Sequence, residues 1–260
     1  MQKDYSMPKI VFITGATAGF GKACAEKFAA HGYDLILNVR RIDRLEKLQI
    51  QLENKYNIAI LILPFDVRDE KKVFESVKSI PEDWQAIDVL INNAGLAVGR
   101  DYFDEGNVDD WNTMIDTNVK GFMYVAKAVA VLMVKRKQGH IINLGSVAGK
   151  QVYEKGNVYC ASKFAVDALN QAMRIDLLRH NIKVTAINPG AAETEFSLVR
   201  FKGDEVTAKK IYDGLQPLSA EDVADVIYYC ATLPPHVCIN DLSLTCIQQA
   251  DTIYFNRMKA

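Results

Sequence analysis

The chain has 260 residues, of which 49% are hydrophobic and 24% charged, a composition typical of one soluble α/β domain. Its formal net charge of −1 gives no indication of a nucleic-acid or anionic-membrane partner. No uninterrupted apolar run approaches the ~18–20 residues of a membrane span, and no apolar signal core precedes the first strand-like run. The five cysteines follow no disulfide or zinc spacing, so we expect free thiols, a cytoplasmic location and no metal site.

The first predicted strand runs into a glycine-rich turn and then into a helix. Residues 9–13 are apolar and β-branched, and Gly15, Gly19 and Gly21 follow in the spacing G-x-x-x-G-x-G before a helical pattern over residues 22–30. Such glycines permit a sharp turn, close approach of the backbone to a phosphate, and close packing of helix on strand. The helix N-terminus would offer N–H groups to a pyrophosphate. A purely structural turn is the alternative.

The second predicted strand, residues 34–39, is followed by two arginines and no acid. In dinucleotide-binding folds an acid here binds the adenosine ribose of NAD, whereas an arginine accepts the 2′-phosphate of NADP. Arg40 and Arg41 suit a dianionic phosphate in charge and bidentate geometry, and we expect Arg40 to be the direct contact. Alternatively, one or both arginines only solvate the start of the next helix, predicted over residues 44–56.

The next two predicted strands also end in polar residues. The third, residues 58–65, is followed by Asp66, which binds an adenine edge or caps the helix predicted over residues 73–80. Asp69 competes for the role of cap. The fourth strand, residues 87–91, is followed by Asn-Asn-Ala-Gly at 92–95. The side chain of Asn92 is expected to satisfy the backbone of neighbouring strands, and that support would also hold the cofactor cleft together.

A long helix is predicted over residues 111–135, with the polar Asn118 among its apolar positions. An amide there is either a hydrogen-bonded packing residue or a functional one. The fifth strand, residues 140–145, ends at Ser146, whose hydroxyl would stand at the carboxyl end of the sheet, where open α/β folds bind ligands. The sequence therefore predicts a site at this edge.

Tyr159 and Lys163 are four residues apart on the next predicted helix, which runs to about residue 180, so they share one face. An ammonium one turn away, together with a cationic cofactor, favours the phenolate and lowers the pKa of the tyrosine. With Ser146, these groups could converge on one carbonyl. Most Tyr-x-x-x-Lys pairs are ordinary surface helix, so this spacing alone is weak evidence.

The last third of the chain contains a sixth strand at residues 182–187, a helix that begins after the cap Ser219, and a final strand at 237–247. Residues 191–218 between them form either a lid over the sheet edge or a solvated pair of surface helices. Because strands alternate with helices throughout, the pattern predicts one parallel sheet with helices on both faces.

In combination, these motifs resemble those of the classical short-chain dehydrogenase/reductases from about residue 8 to 247. The resemblance implies a single Rossmann-type α/β domain over residues 1–260, with a doubly wound, mainly parallel, seven-stranded sheet. Its cofactor half would span about 8–145 and its catalytic and substrate half about 146–260. It implies hydride transfer to or from a nicotinamide cofactor. The motifs that carry the resemblance are Gly15, Gly19, Gly21, the Asn92–Gly95 run, Asn118, Ser146, Tyr159, Lys163 and Pro189-Gly190.

The resemblance also implies a role for each matching residue. Tyr159 would be the general acid/base, and Ser146 would hydrogen-bond the substrate oxygen. Lys163 would bind the nicotinamide ribose and lower the tyrosine pKa, and Asn118 would anchor a water of the proton relay. The residues expected to bind NADP(H) are Gly15, Thr17, Gly19, Phe20, Gly21, Arg40, Arg41, Asp66, Val67, Asn92, Ala94, Gly95, Tyr159, Lys163, Pro189, Gly190, Ala192 and Thr194.

Residues 195–204 and 221–225 are similar to NADP-dependent 3-hydroxy acid dehydrogenases, a subgroup that also acts on serine and allo-threonine. Val39 departs from the smaller residue that such relatives tend to have before the arginines. A small 3-hydroxy acid would place its hydroxyl at Ser146 and Tyr159. Arg200 would then bind the carboxylate, or alternatively would form a salt bridge within the lid.

Two other functions fit the same motifs. One is an NADPH-dependent carbonyl reductase of neutral ketones, and the other is an NADP-binding protein without turnover, against which the intact set of catalytic residues argues. Family members are usually homotetramers or homodimers, paired through the long helices that begin near Trp111 and Tyr159. The expected substrate is thus a small hydroxy acid or carbonyl compound, and the expected protein partner is a second copy of the chain. No nucleic-acid or membrane partner is expected.

Overall fold

The computed structural model describes residues 9–40 and 42–258. Seven strands form one sheet in the order β3-β2-β1-β4-β5-β6-β7, and all neighbouring strands are parallel. The order reverses between β1 and β4, which opens a crevice at the carboxyl ends of these two strands. The strands are β1 (Ile10–Thr14), β2 (Asp34–Asn38), β3 (Ile60–Ile62), β4 (Ile87–Asn92), β5 (Gly139–Leu144), β6 (Ile182–Pro189) and β7 (Asp241–Leu244).

Helices cover both faces of the sheet, as the alternating pattern predicts. Within the described ranges they are α1 (Gly19–Ala29), α2 (Ile42–Tyr56), α3 (Glu70–Lys78), α4 (Val108–Ile115), α5 (Phe122–Arg136), α6 (Asn157–Leu177), α7 (Glu195–Arg200), α8 (Glu205–Lys210) and α9 (Ala220–Thr232). Successive side chains of a strand point to opposite faces. In β1, Val11 accordingly packs with α1, α2 and α9, whereas Phe12 packs with α3 and α5. The doubly wound α/β prediction is therefore confirmed.

The long helix expected over residues 111–135 is interrupted by a π-helical turn. Helix α4 begins at Val108, residues Asp116–Gly121 form the π turn, and α5 continues to Arg136. By length and by a mean hydropathy of 1.3, the stretch Val108–Arg136 would suffice to cross a membrane. Its inner face lies in the core instead, where Val125, Val129 and Met133 are fully buried against the sheet. This is the position of a core helix.

Two strands are shorter than the apolar runs that predicted them. The third was expected over residues 58–65 but spans only Ile60–Ile62. Beyond it, the Nδ2 of Asn38 donates hydrogen bonds to the carbonyl oxygens of Leu63 and Phe65, at 3.1 and 3.0 Å. The last was expected over 237–247, but Lys183 and Thr185 donate to carbonyls of the segment that precedes Asp241. Side-chain donors thus replace the strand ladder at both places.

Candidate active site

Ser146 lies just beyond β5, where its backbone is extended and its side chain starts a short 3₁₀ turn. Its Oγ accepts the N–H of Ala148 at 3.1 Å, and its own N–H donates to the Oδ1 of Asn188 at 3.2 Å. Tyr159 and Lys163 project from the first two turns of α6. Three of the four predicted catalytic side chains, those of Ser146, Tyr159 and Lys163, line one cavity of about 390 Å³ at the carboxyl edge of the sheet, and Asn118 does not line it.

Electrostatic effects on Tyr159 act in both directions. Burial raises the pKa of Tyr159 to about 12, whereas the Arg200 guanidinium and a hydrogen bond with Ser146 lower it. The guanidinium carbon of Arg200 lies 4.7 Å from the centroid of the Tyr159 ring. A bound cationic cofactor and Arg200 therefore act in the same sense, because both stabilise the phenolate.

The ammonium of Lys163 is hydrogen-bonded to the end of the sheet and not to the phenol of Tyr159. Its Nζ donates to the carbonyl oxygen of Leu144 at 2.9 Å, and its side chain is buried. Burial also lowers the pKa of Lys163 to about 8. The helical spacing predicts Lys163 as the cation that tunes the tyrosine, but in this structure the cation with the largest effect on Tyr159 is Arg200.

Asn118 lies buried in the π turn and connects α6 to the loop after β4. Its Oδ1 accepts the N–H of Leu96 at 2.9 Å, and its Nδ2 donates to the Leu96 carbonyl at 2.8 Å and to Ser162 Oγ at 3.0 Å. A π turn is a feature found frequently at functional sites. Both ends of the side-chain amide are thus occupied by protein groups.

The glycine turn forms the opposite end of the cavity and fits a pyrophosphate. Gly19 has φ +47°, and a Cβ at Gly21 would overlap the carbonyl oxygen of Gly15, so the turn requires glycine at both positions. Ala18 provides no side-chain cap for α1, which leaves the first N–H groups of the helix free for an anion. The predicted cofactor residues that line the cavity are Gly15, Gly19, Phe20, Ala94, Gly95, Tyr159, Lys163, Pro189, Gly190, Ala192 and Thr194.

Several predicted cofactor residues lie outside the cavity lining, and three of them, Gly21, Asn92 and Val67, support its surroundings through contacts with neighbouring residues. Gly21 packs beneath Gly15, and the Nδ2 of Asn92 donates to the Phe122 carbonyl at 3.0 Å, which is the supporting role weighed for that asparagine. Val67 is buried against Gly121. Thr17 is partly exposed in the turn and does not reach the cavity.

The region expected to bind the adenosine end contains an ion cluster. Arg68 donates from Nη2 to Asp66 Oδ2 at 2.7 Å and from Nε to Asp66 Oδ1 at 3.1 Å, and Arg40 Nη1 lies 4.0 Å from Asp66 Oδ2. Burial raises the pKa of Asp66, but the hydrogen bonds from Arg68 outweigh it and hold that pKa below its usual value. The cap of α3 is Asp69, whose carboxylate accepts the Lys72 N–H, so Asp66 does not cap that helix. Arg41 lies outside the described residues.

The far end of the cavity contains Arg200, which the sequence analysis names as a candidate ligand of the carboxylate, together with residues that the sequence motifs did not indicate. Arg200 donates from Nη2 to the hydroxyl of Tyr153 at 2.7 Å, and its guanidinium also lies 5.1 Å from the Phe196 ring centroid. The guanidinium of Arg100 also lies near the Tyr153 ring, with its carbon 5.9 Å from the ring centroid, and the cavity is further lined by residues of the segments around 153, 196 and 255. These residues come from loops far apart in the chain, and no periodic pattern marks them.

Residues 191–218 lie over the cavity, with side chains of α7 and of the turn after α8 in its lining. An ion pair joins Lys202 of this segment to Asp110 at 2.8 Å, and the N–H of Gly99 donates to the Arg200 carbonyl at 3.0 Å. Tyr212 donates to the Ala192 carbonyl at 2.8 Å. The first two contacts tie this segment to residues 99–110, and the Arg200 guanidinium lies against the Tyr159 ring.

A change of Gly21 to alanine tests the fit of this turn to a dinucleotide. The new Cβ would overlap the Gly15 carbonyl and displace the turn, which costs ~1–3 kcal/mol. We expect the cofactor dissociation constant to rise by about 10- to 100-fold, measured by fluorescence titration. Gly32→Ala is the control, because it strains a positive φ at the opposite end of α1 without touching the cavity. Unchanged cofactor affinity in Gly21→Ala would contradict the assignment.

The comparisons with known proteins agree with this geometry. The family model of the short chain dehydrogenases matches residues 9–204. The chain belongs to the short-chain dehydrogenase family. An NADP-dependent 3-hydroxy acid dehydrogenase of Salmonella typhi is 44% identical over 242 residues, which cover 93% of this chain and 96% of that protein.

Other relatives share the same extent of similarity. Sulfoacetaldehyde reductase 2 of Chromohalobacter salexigens is 44% identical over 245 residues, 94% of this chain and 96% of that protein. Among solved structures, the closed form of a serine dehydrogenase in complex with NADP+ superposes with a TM-score of 0.89 at 42% identity, covering 96% of this chain and 100% of that one. A serine dehydrogenase from Escherichia coli gives 0.80 at 38% identity, covering 93% and 99%.

Proposed function

We propose that this protein is an NADP-dependent dehydrogenase of small 3-hydroxy acids of the serine, allo-threonine and 3-hydroxypropionate type. The observation that carries the substrate assignment is the Arg200 guanidinium, which lies 4.7 Å from the Tyr159 ring and is held there by Tyr153. A cation at this distance from the acid/base suits a substrate whose carboxylate lies a few atoms from its hydroxyl. The 3-hydroxy acid and serine dehydrogenases among its relatives support this assignment.

The cofactor assignment is supported by the two ends of the crevice. The uncapped N-terminus of α1 and the glycine turn suit the pyrophosphate, and Arg40 suits the 2′-phosphate of NADP. When bound, NADP(H) supplies the hydride acceptor or donor. The chain supplies binding, orientation and the movement of the proton.

In the oxidation direction, Tyr159 as phenolate accepts the proton of the substrate hydroxyl. Ser146 Oγ accepts the Ala148 N–H, and its hydroxyl proton, which interacts with Tyr159 in this structure, can be donated to a substrate oxygen that lies between the two side chains. In the reduction direction Tyr159 returns the proton to that oxygen. Holding the reacting groups in place contributes on the order of ~7–11 kcal/mol in favourable cases.

Asn118 is proposed to serve the proton relay through its backbone. Since its side-chain Oδ1 and Nδ2 are both engaged with Leu96 and Ser162, we infer that the water would be bound by its main-chain carbonyl in the π turn. In this proposal the Asn118 side chain holds the π turn in place. The carbonyl would then anchor the water.

A second candidate function uses the same cation. A sulfonate resembles a carboxylate in charge and in its ability to accept hydrogen bonds from a guanidinium, and two sulfoacetaldehyde reductases are 43–44% identical to this chain. The anionic aldehyde would be reduced at Tyr159 and Ser146 with its sulfonate at Arg200. Reduction of neutral ketones is the third outcome, in which Arg200 would play no part in substrate binding.

Initial rates decide between these functions. The substrates are L-serine, L-allo-threonine and 3-hydroxypropionate, with sulfoacetaldehyde and an uncharged ketone of similar size, each with NADP(H) and NAD(H). We expect activity on the hydroxy acids with a strong preference for NADP. Activity on the sulfonate alone would assign the second function. Reduction of the uncharged ketone alone would overturn both anionic assignments.

The nucleotide preference has its own test at Arg40. Removing a charged hydrogen-bond donor costs ~1.5–3 kcal/mol, so Arg40→Ala is expected to raise the NADP dissociation constant by about 10- to 100-fold. Affinity for NAD should change little, because NAD lacks the 2′-phosphate. Isothermal titration of both nucleotides measures the ratio, with Arg179→Ala, an exposed arginine just after α6, as control. An equal loss for NAD and NADP would refute this role.

We also propose a cytoplasmic homotetramer or homodimer. Several apolar side chains on and just after α5 and α6 are exposed to solvent. The exposed fractions are 50% for Val131, 72% for Ile175 and 71% for Leu178. Self-association through these helices would cover them. The cysteines of the described chain are free thiols, consistent with a reducing compartment.

A further inference from the structure

Lys150 forms an ion pair with two carboxylates at once. It follows the 3₁₀ turn that begins at Ser146, and its Nζ lies 2.6 Å from Asp167 Oδ1 and 2.6 Å from Asp241 Oδ2. Asp167 belongs to α6, and Asp241 is the first residue of β7. The ammonium thus joins the loop of the catalytic serine to a helix and a strand that are far apart in the sequence.

The branch through Asp241 ends on the main chain of Ser146. Asp241 Oδ1 accepts the Nδ2 of Asn188 at 3.2 Å, and Asn188 Oδ1 accepts the Ser146 N–H at 3.2 Å. Asn188 is 1% exposed and packs so closely on Gly145 that a Cβ there would overlap its side-chain oxygen. A shift of Asp241 is therefore passed to the serine through a rigid amide.

The branch through Asp167 ends on the catalytic helix. Tyr159, Lys163 and Asp167 are spaced by four residues, so they lie along one face of α6. Gln171 donates to Asp167 Oδ2 at 2.9 Å and holds the carboxylate toward Lys150. The network therefore connects the backbone of the serine to the helix that carries the tyrosine.

We propose that Lys150 is a positioning residue, which sets the distance between the Ser146 hydroxyl and the Tyr159 phenol. Lys150 does not line the cavity, so it acts through Ser146 and α6 and not on the substrate. Its side chain is 35% exposed, and an isolated ion pair of that exposure contributes little to stability. The proposed role of the ion pair is therefore to hold the reacting groups in position, because a displacement of such groups by about 1 Å lowers the rate of an enzyme by up to about 10²-fold.

The test uses the full-length protein and whichever substrate is turned over fastest, so it does not depend on the 3-hydroxy acid assignment. Lys150→Met is expected to lower kcat by about 10- to 100-fold, with the KM and the cofactor dissociation constant within about twofold of the parent. Lys150→Arg should recover most of the rate, because a guanidinium can bridge two carboxylates. Lys27→Met is the matched control. It removes a 2.7 Å ion pair with Asp225, on α1 and α9 and away from the cavity, and should leave kcat unchanged.

Asp241→Asn provides a second variant in case Lys150→Met does not fold. It keeps the size of the side chain but removes the charge that holds Lys150, and it should lower kcat in the same way. The double variant should lose no more than the worse single variant, because both changes break one network. A kcat within about twofold of the parent in the folded variants, or a loss that Lys27→Met shares, would overturn the proposal.

Discussion

Replacing Tyr159 with phenylalanine is expected to abolish measurable turnover, with kcat lowered by about 10²- to 10⁴-fold. The change removes the group that exchanges the proton with the substrate oxygen and leaves the ring, which packs beside Phe196 with centroids 5.6 Å apart and beside the Arg200 guanidinium. Because the glycine turn and the helix N-terminus are untouched, the NADPH dissociation constant should stay within about twofold. Steady-state rates and fluorescence titration of NADPH measure the two effects separately.

The control is Tyr228→Phe, which removes the hydroxyl of another tyrosine packed among aromatic rings, 5.3 Å from Phe28 in centroid distance. That variant should keep the parent kcat. Full activity of Tyr159→Phe would remove this residue from the mechanism and with it the convergence of Ser146 and Tyr159 on one oxygen. Loss of NADPH binding together with turnover would instead show that the tyrosine is needed for the cofactor site.

The pH dependence of the parent follows from the same group. Burial raises the pKa of Tyr159, and oxidation needs the phenolate, so the rate of oxidation should increase with pH up to that pKa. Reduction needs the phenol, so its rate should stay constant well below that pKa and fall as the pH approaches and passes it. The two directions therefore respond to pH with opposite sign.

The parts of the fold and site that could be predicted from the sequence are those encoded locally. A strand buried on both faces is a short apolar run, and a phosphate-binding turn is a run of glycines before a helix, so β1, Gly15 and Gly19 could be recognised directly. Tyr159 and Lys163 follow from a four-residue spacing. Such features need only neighbouring residues, and the topology then brings them together at one sheet edge.

The features that could not be predicted depend on contacts between distant segments. The shortening of the third strand results from the buried amide of Asn38, which captures carbonyls 25 and 27 residues away. The π turn around Asn118 is a change of hydrogen-bond register that leaves no signal in the apolar pattern. Tyr153, which holds Arg200 from 47 residues away, lies in a loop, where no periodicity indicates which way a side chain points.

Replacing Arg200 with methionine is expected to change the choice of substrate. Removing one partner of a buried, hydrogen-bonded charge pair costs ~2–5 kcal/mol, so kcat/KM for 3-hydroxy acids should fall by about 10²-fold or more. For an uncharged alcohol or ketone of similar size the loss should be much smaller, because such a substrate places no anion against the guanidinium. Initial rates with matched charged and uncharged substrates give the ratio.

The uncharged substrate also separates the two effects of Arg200. The guanidinium lowers the pKa of Tyr159, so its removal should slow oxidation of every alcohol at a fixed pH and shift the rise of the rate to higher pH. Loss of the anion contact affects the charged substrates alone. Tyr153→Phe serves as a graded variant, since it removes the 2.7 Å hydrogen bond that orients Arg200 but keeps the charge.

The outcome for Arg200→Met then distinguishes the proposed substrates. A selective loss for hydroxy acids would establish the guanidinium as the carboxylate site, and the same selective loss for a sulfonated aldehyde would extend it to sulfonates. An equal loss for charged and uncharged substrates would leave Arg200 as a group that tunes the tyrosine only. In that case the carboxylate would have to bind elsewhere at the far end of the cavity, where Arg100 and Arg257 also line the wall.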